Sequence, residues 1–106
     1  PTPSKNINFF TLTGSVDFLR SELLEEWCKK LPAKYSSVDD VAMIIFAIEF
    51  TDRLDDSEEA TELMNVINDF MQQISAGTMV KWGIYRDETI PSHQYRINIF
   101  TKCRRQ

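Results

Sequence analysis

An almost uninterrupted apolar stretch in the middle of the chain is the strongest pattern in this sequence. It covers residues 41–50 (VAMIIFAIEF), with Glu49 as the one charge and no glycine or proline. A strand that is apolar at both alternating positions is typical of a central strand with both faces covered by helices. A buried helix is the alternative, and periodicity alone does not separate the two. The helical patterns on either side favour the strand.

The first helical pattern precedes this strand. Apolar residues recur at three- and four-residue spacing over residues 16–31, and Cys28 lies on the same apolar stripe. Ser15 is the predicted N-cap, because its hydroxyl can accept a hydrogen bond from an unpaired N–H of the first turn. Pro32 ends the predicted helix.

The second helical pattern follows the strand, with an apolar stripe over residues 60–74. Asp56, three residues before Glu59, resembles a capping box, and Ser57 is an alternative cap. Gly77 is predicted to end the helix in the left-handed conformation that glycine adopts readily.

Three further segments have strand character. Residues 6–13 mix large apolar side chains with threonine, while residues 78–86 and 94–102 form the predicted arms of a hairpin around a polar, proline-containing loop. The second arm alternates apolar and polar residues, which favours a position near the sheet edge. On the first arm we expect Val80, Trp82 and Ile84 to point inward and Gly83 to mark a bulge or a close backbone approach.

The predicted element order is therefore β-α-β-α-β-β. If both strand-helix-strand units are right-handed crossovers, the first three strands run parallel and the last runs antiparallel. This predicts an α+β fold, with a four-stranded mixed sheet and helices packed on it. Residues 1–5 (PTPSK) are predicted as a linker or tail, and residues 6–103 as one domain. The chain begins without a methionine, which fits either removal of the initiator ahead of proline or a domain of a longer protein, and the linker-like start favours the latter.

Composition narrows the function. A net charge of −4 and a pI near 4.9 disfavour nucleic-acid binding, which needs a basic face. The basic residues 102–105 are interpreted as a solvated tail, and no apolar run is long enough for a membrane span. Two cysteines, Cys28 and Cys103, form neither a disulfide framework nor a metal motif, so a reduced, cytoplasmic protein is expected.

Motifs for catalysis are scarce. His93 is the sole histidine and stands in a polar loop, where we interpret it as an exposed loop residue. Acids crowd the start of the second helix and could bind a divalent cation, although acids gather there anyway because the N–H groups are unpaired. They are Asp52, Asp55, Asp56, Glu58 and Glu59. The chain contains no glycine-rich phosphate loop, and no cofactor is expected.

Four stretches carry a more specific signal: SSVDDVAMIIFAIEF, SEEATELMNVINDFMQQI, AGTMVKWGIYRDE and YRINIFTKC. With the order of the elements, they resemble the C-terminal domain of the FtsZ/tubulin superfamily of GTP-dependent filament proteins, over nearly the whole chain. One departure is Asp52-Arg53, where FtsZ usually has a glycine pair after the buried strand. The resemblance implies the same fold and a filament-related protein of cell division, of which this chain is the non-catalytic part.

The resemblance further implies a protein-interaction domain whose partner is a GTPase domain or a filament subunit. The corresponding contact residues lie in the loop after the central strand: Asp52, Arg53, Asp55 and Asp56. An alternative is a free-standing acidic module that binds a basic protein, such as an immunity protein or antitoxin, since complementary charge speeds association. A third interpretation is an enzyme, because sheet-and-helix folds host many chemistries.

Overall fold

The computed structural model describes residues 7–31, 40–51, 57–74 and 77–104. Its elements follow the predicted order. They are β1 (Ile7–Gly14), α1 (Val16–Lys30), β2 (Val41–Phe50), α2 (Ser57–Gln72), β3 (Met79–Arg86) and β4 (Tyr95–Cys103). The predicted linker, residues 1–5, lies outside the described residues.

The four strands form one mixed sheet in the order β1-β4-β2-β3. β2 and β3 are parallel, and β4 is antiparallel to both β1 and β2. The predicted strand directions are therefore confirmed, as is the α+β class.

The predicted hairpin is wrong, because β3 and β4 are not neighbours. β4 lies between β1 and β2, and β3 forms an edge of the sheet. Two strand spacings are about 10 Å, which the eight residues between β3 and β4 span easily. The loop is anchored where the Asp87 N–H donates to the Phe50 carbonyl (2.9 Å) and where Ile90 is buried. A polar loop signals a chain reversal but does not specify the neighbouring strand.

The alternation in β4 therefore reflects one covered and one open face of an interior strand, and its predicted position near the edge is wrong. Both helices pack on the same side of the sheet. The ring centroid of Phe70 on α2 is 5.0 Å from that of Trp27 on α1 and 5.4 Å from that of Phe46 on β2. The core lies between these two layers.

β2 is a central strand, as predicted, but its two faces differ. Ile44, Phe46 and Ile48 are buried under the helices, whereas Ile45 on the opposite face is 37% exposed. A register shift between Val41 and Met43 lets Val41 join the buried side despite its odd spacing. The expectation of two covered faces is thus wrong.

The helix ends only partly follow the predictions. The Ser15 hydroxyl accepts a hydrogen bond from the Phe18 N–H (3.2 Å), which confirms the cap of α1. α2 ends at Gln72, five residues before Gly77, so Gly77 does not end that helix. The predicted cap of α2, Asp56, lies outside the described residues. No helix in the described part of the chain is long and apolar enough to cross a bilayer.

Candidate protein-interaction surface

The four predicted contact residues, Asp52, Arg53, Asp55 and Asp56, lie outside the described residues. Their contact role therefore stays a prediction. The described structure directs attention to another surface.

The side of the sheet opposite the helices, here called the open face, has an apolar half. One cross-strand row on it runs Phe9, Phe100, Ile45 and Lys81, from β1 to β3. Phe9 is 64% exposed, and Ile45 and Phe100 are also partly accessible. The next row adds Ile7, Met43 and Met79 around Lys102. Large apolar side chains that lie together on a surface, rather than singly, are typical of a binding site.

The other half of the open face is polar, and its side chains bind one another. The Thr11 hydroxyl donates to Asn98 Oδ1 (2.8 Å), and Asn98 Nδ2 donates to Glu49 Oε1 and to the Ala47 carbonyl. Arg96 Nη1 lies 3.5 Å from Glu49 Oε2. This network crosses β1, β4 and β2, so it stabilises the sheet and needs no ligand to satisfy it.

Asp87, just after β3, extends this network. Its carboxylate accepts hydrogen bonds from the Thr89 hydroxyl (2.6 Å) and the Thr89 N–H (2.9 Å), and Arg96 Nη1 lies 3.0 Å away. These hydrogen bonds, first those from Thr89 and then that from Arg96, hold the pKa of Asp87 below its usual value. The loop is thereby tied to the start of β4.

A second exposed region, here called the β3 edge, is formed by Trp82, Ile84 and Tyr85, with exposed fractions of 44%, 49% and 58%. Trp82 and Ile84 lie on the helix side of the sheet, in register with Phe46 and Ile48. They face the helix side as predicted, but they are not buried, because the helices pack over β1, β4 and β2 and leave β3 largely uncovered. Val80 alone of the three packs against the core.

Gly83 marks a close approach and not a bulge, since its pairing with Ala47 is in continuous register. The Tyr85 ring lies over it: a Cβ atom added at Gly83 would be 2.8 Å from Tyr85 Oη. The bulge of this sheet is in β2 instead.

The acids at the start of α2 make structural contacts. Glu59 accepts a hydrogen bond from the Tyr95 hydroxyl and lies 3.1 Å from His93 Nδ1. Arg20 pairs with Asp17 and with Glu62. Within the described residues no group of three or more His, Cys, Asp or Glu side chains could hold a metal ion. The described acids therefore hold the loop and α1 against α2.

The two cysteines are free thiols, Cys28 partly buried and Cys103 buried. Burial raises the pKa of both thiols. Lys102 and Cys103 belong to β4, and the Arg104 N–H donates to the Asp40 carbonyl (2.5 Å). The interpretation of residues 102–105 as a solvated tail is therefore wrong up to Arg104, while residue 105 is outside the described residues.

No protein-family model matches the chain, and no curated protein sequence matches it. Solved structures do. FtsZ from M. jannaschii, solved as an empty dimer, superposes with a TM-score of 0.54 at 12% identity, over 91% of this chain and 26% of FtsZ. TubZ from Bacillus thuringiensis serovar israelensis, solved as GDP-form protofilaments, gives 0.59 at 7% identity, over 91% of this chain and 25% of TubZ.

The chain has the fold of one quarter of FtsZ and TubZ. The fold implied by the sequence resemblance is thus confirmed, while identities of 7% and 12% show nothing beyond the fold. Thiamine monophosphate kinase from Aquifex aeolicus also superposes, at 14% identity over 90% of this chain and 32% of the kinase. Its TM-score of 0.40 is too low to indicate a shared fold.

The hydrophobic pattern predicts that three of the exposed apolar residues are covered. Trp82, Ile84 and Ile45 were all expected to be covered, and each is exposed. One sequence feature does indicate the exposed surface. The strands carry apolar residues on both alternating faces, but the chain has only two helical patterns to cover them. The FtsZ-like fold puts both helices on one side, which leaves the open face and the β3 edge uncovered.

Proposed function

We propose that this chain is a non-catalytic protein-interaction domain of an FtsZ-like cytoskeletal protein of cell division, and that the open face is its contact surface. The observation that carries the proposal is the apolar half of that face, uncovered in a fold shared with FtsZ and TubZ. The chain spans about a quarter of each of those proteins, so the partner is either another domain of a longer protein or a filament subunit.

Energetics support binding through this face. Fully burying a Phe or Ile side chain contributes about 1.5–3 kcal/mol, and a partner gains the part of it that is still exposed. Phe9, Phe100 and Ile45 lie side by side in one row, with the largest exposed fraction at Phe9. The polar network beside them is already satisfied, so a partner would not have to replace its hydrogen bonds. An apolar centre beside a satisfied polar rim is the usual anatomy of a protein interface.

The role as a filament-related domain is supported by the neighbours, since TubZ was solved as protofilaments and FtsZ as a dimer. Self-assembling proteins of this fold therefore exist. A non-catalytic function is supported by the polar side chains of the open face, because Glu49 and Asp87 are both paired with Arg96.

Co-sedimentation with polymerised FtsZ and TubZ tests this function. We expect the 106-residue chain to pellet with at least one of the two filaments. A variant with Phe9→Gln and Ile45→Gln should bind at least about tenfold more weakly, which is a loss of about 1.4 kcal/mol or more. Circular dichroism should show the variant folded, since Phe9 is mostly exposed and Ile45 is partly so.

Phe18→Gln is the matched control. Phe18 is another exposed aromatic residue, but it lies on α1, away from the open face. Its replacement should leave the pelleted fraction unchanged. If the wild-type chain pellets with neither filament, the FtsZ-like role is wrong; if both variants bind equally well, the open face is not the contact surface.

A further inference from the structure

Within the described part of the chain, β3 has little of the usual protection of an edge strand. The edge of a sheet presents unpaired N–H and C=O groups, and natural edges are commonly blocked by proline, by bulges, by charged side chains, especially lysine, or by a covering helix or loop. β3 has eight residues without proline, and its pairing with β2 contains no bulge. Its two charged residues, Lys81 and Arg86, are exposed on either side of the apolar centre.

β3 also differs from β1, the strand at the opposite edge. β1 exposes one large apolar side chain, Phe9 on the open face, whereas its Phe10 is buried under the helices. β3 exposes large apolar side chains on both faces: Trp82 and Ile84 on the helix side, and Met79 and Tyr85 on the open side. A strand that pairs with β3 would therefore cover apolar surface above and below the sheet.

We propose that β3 pairs antiparallel with β3 of a second copy of this chain, about a two-fold axis at Gly83, to form a continuous eight-stranded sheet. Side chains directly opposite each other in an antiparallel pair lie on the same face. The axis at Gly83 places Trp82 opposite Ile84 of the second copy, and by symmetry Ile84 opposite Trp82. Both exposed residues on the helix side are then covered by each other.

Charge also fits this register. Lys81 lies opposite Tyr85 of the second copy, where an ammonium group can sit over an aromatic ring. The two copies of Lys81 are four residues apart along the strand direction, about 13 Å, which exceeds the screening length of about 8 Å at physiological salt. Gly83 puts no side chain on the axis. The register thus pairs no like charges and opposes aromatic with β-branched side chains, a favourable cross-strand combination.

The interface is small. Stable protein–protein interfaces bury about 1,200–2,000 Å² in total, and one strand pair of eight residues falls below that range. The dimer is therefore transient and depends on concentration. Because a two-fold axis closes the interface, assembly stops at two copies through this edge.

Sedimentation velocity of the 106-residue chain, from micromolar to near-millimolar concentration, tests the proposal. The wild type should shift from monomer to dimer. Trp82→Lys and Ile84→Glu should each weaken the dimer at least about tenfold, because each removes one of the opposed apolar groups in both symmetry-related pairs. Both positions are about half exposed, so each variant should still fold.

The double variant Trp82→Lys/Ile84→Glu distinguishes this register from general stickiness. In the proposed register the introduced lysine of one copy faces the introduced glutamate of the other, twice per dimer. The double variant should therefore dimerise more tightly than either single variant, since each exposed pair contributes about 0.2–1 kcal/mol. If the two losses simply add, it dimerises more weakly than either, and the register is wrong.

Cysteine cross-linking gives an independent test in a Cys28→Ser background. Opposed residues have Cα atoms about 4.5–5.5 Å apart, which a disulfide can bridge. Gly83→Cys should therefore form a covalent dimer on mild oxidation, with the exposed Tyr85 ring turning aside to admit the new Cβ atom. Lys81→Cys should not, because its own copy is about 13 Å away. Equal cross-linking at the two positions, a wild type that stays monomeric at every concentration, or species larger than a dimer would overturn the proposal.

This dimer is independent of the function proposed for the open face. Phe9→Gln/Ile45→Gln should leave the β3 dimer intact, and Trp82→Lys should leave filament co-sedimentation intact. Loss of both activities in one variant would instead mean that the two surfaces act as one site, and the separate β3 interface would be wrong.

Discussion

At the scale of single residues, one buried hydrogen bond joins the helix layer to the sheet. The Trp27 Nε1–H on α1 donates to the Thr101 hydroxyl on β4 at 2.8 Å, and both side chains are 1% exposed. The alternation of the sequence puts Trp27 within the apolar helical pattern of residues 16–31 and Thr101 on the same face of the last strand as its apolar residues. Their pairing could not be predicted, because the two residues are 74 positions apart and local periodicity does not encode such a contact.

Replacing Thr101 with valine tests this bond. Valine keeps the shape of threonine but removes the acceptor, so the indole N–H is left buried without a partner. The free energy of unfolding should fall by about 1–3 kcal/mol in urea titrations. Thr13→Val, at an exposed position on β1, is the control and should change stability by less than about 0.5 kcal/mol. Equal effects at both positions would show that the buried bond is not the cause.

At the scale of secondary-structure elements, the local sequence patterns predict the helices and strands but not the order of the strands in the sheet. The type and order of all six elements follow from periodicity and capping residues such as Ser15. The position of β4 between β1 and β2 did not follow, because a strand's alternation reports which of its faces is covered and not which strands lie beside it. The same limit explains why β3 was expected to be inward and is an exposed edge.

The loop from β3 to β4 makes stability depend on acid pH through Asp87. Its pKa is lower in the folded chain than in the unfolded chain, where an aspartate has a pKa of about 3.9. The ionised carboxylate therefore stabilises the fold above that pH, and the contribution is lost as pH falls through the lower, folded pKa. Asp87→Asn should be less stable than the wild type at neutral pH, and the difference should shrink below about pH 4.

Urea unfolding of both proteins between about pH 7 and pH 3 measures this dependence. Glu88→Gln is the matched control: Glu88 is the adjacent exposed acid, and no ion pair or hydrogen bond of its side chain is found among the described residues. Its difference from the wild type should change little with pH. A difference for Asp87→Asn that is constant over the range would contradict the role of the Thr89 and Arg96 contacts.

At the scale of the whole molecule, the number of helices decides how much of the sheet is covered. A helix is about 10 Å wide with its side chains, and four strands span about 19 Å, so two helices cover at most one face. Here they also leave the helix side of β3 exposed, at Trp82 and Ile84. The apolar residues of the opposite face, such as Phe9 and Ile45, then stay in water unless another molecule or domain covers them. The sequence identifies these residues as apolar but does not indicate which face of the sheet they lie on, because a run like VAMIIFAIEF is apolar on both faces.

Phe70 is the residue on which this two-layer packing converges. It is 3% exposed, and its ring meets Trp27 of α1 and Phe46 of β2 edge to face. Phe70→Ala should lower the free energy of unfolding by about 3–5 kcal/mol, because it removes both ring contacts and leaves a cavity. For a chain of this size that corresponds to a fall in Tm of more than about 12 °C. Phe70→Leu should cost less, since leucine fills part of the space.

Asn68→Ala, at an exposed position on the same helix, is the control for the loss of a side chain from α2. It should change stability by less than about 0.5 kcal/mol, because alanine favours the helix and the Asn68 side chain is exposed. Thermal and urea unfolding of the three variants separate the contributions. A cost below about 1.5 kcal/mol for Phe70→Ala would mean that α1, α2 and the sheet do not share one core.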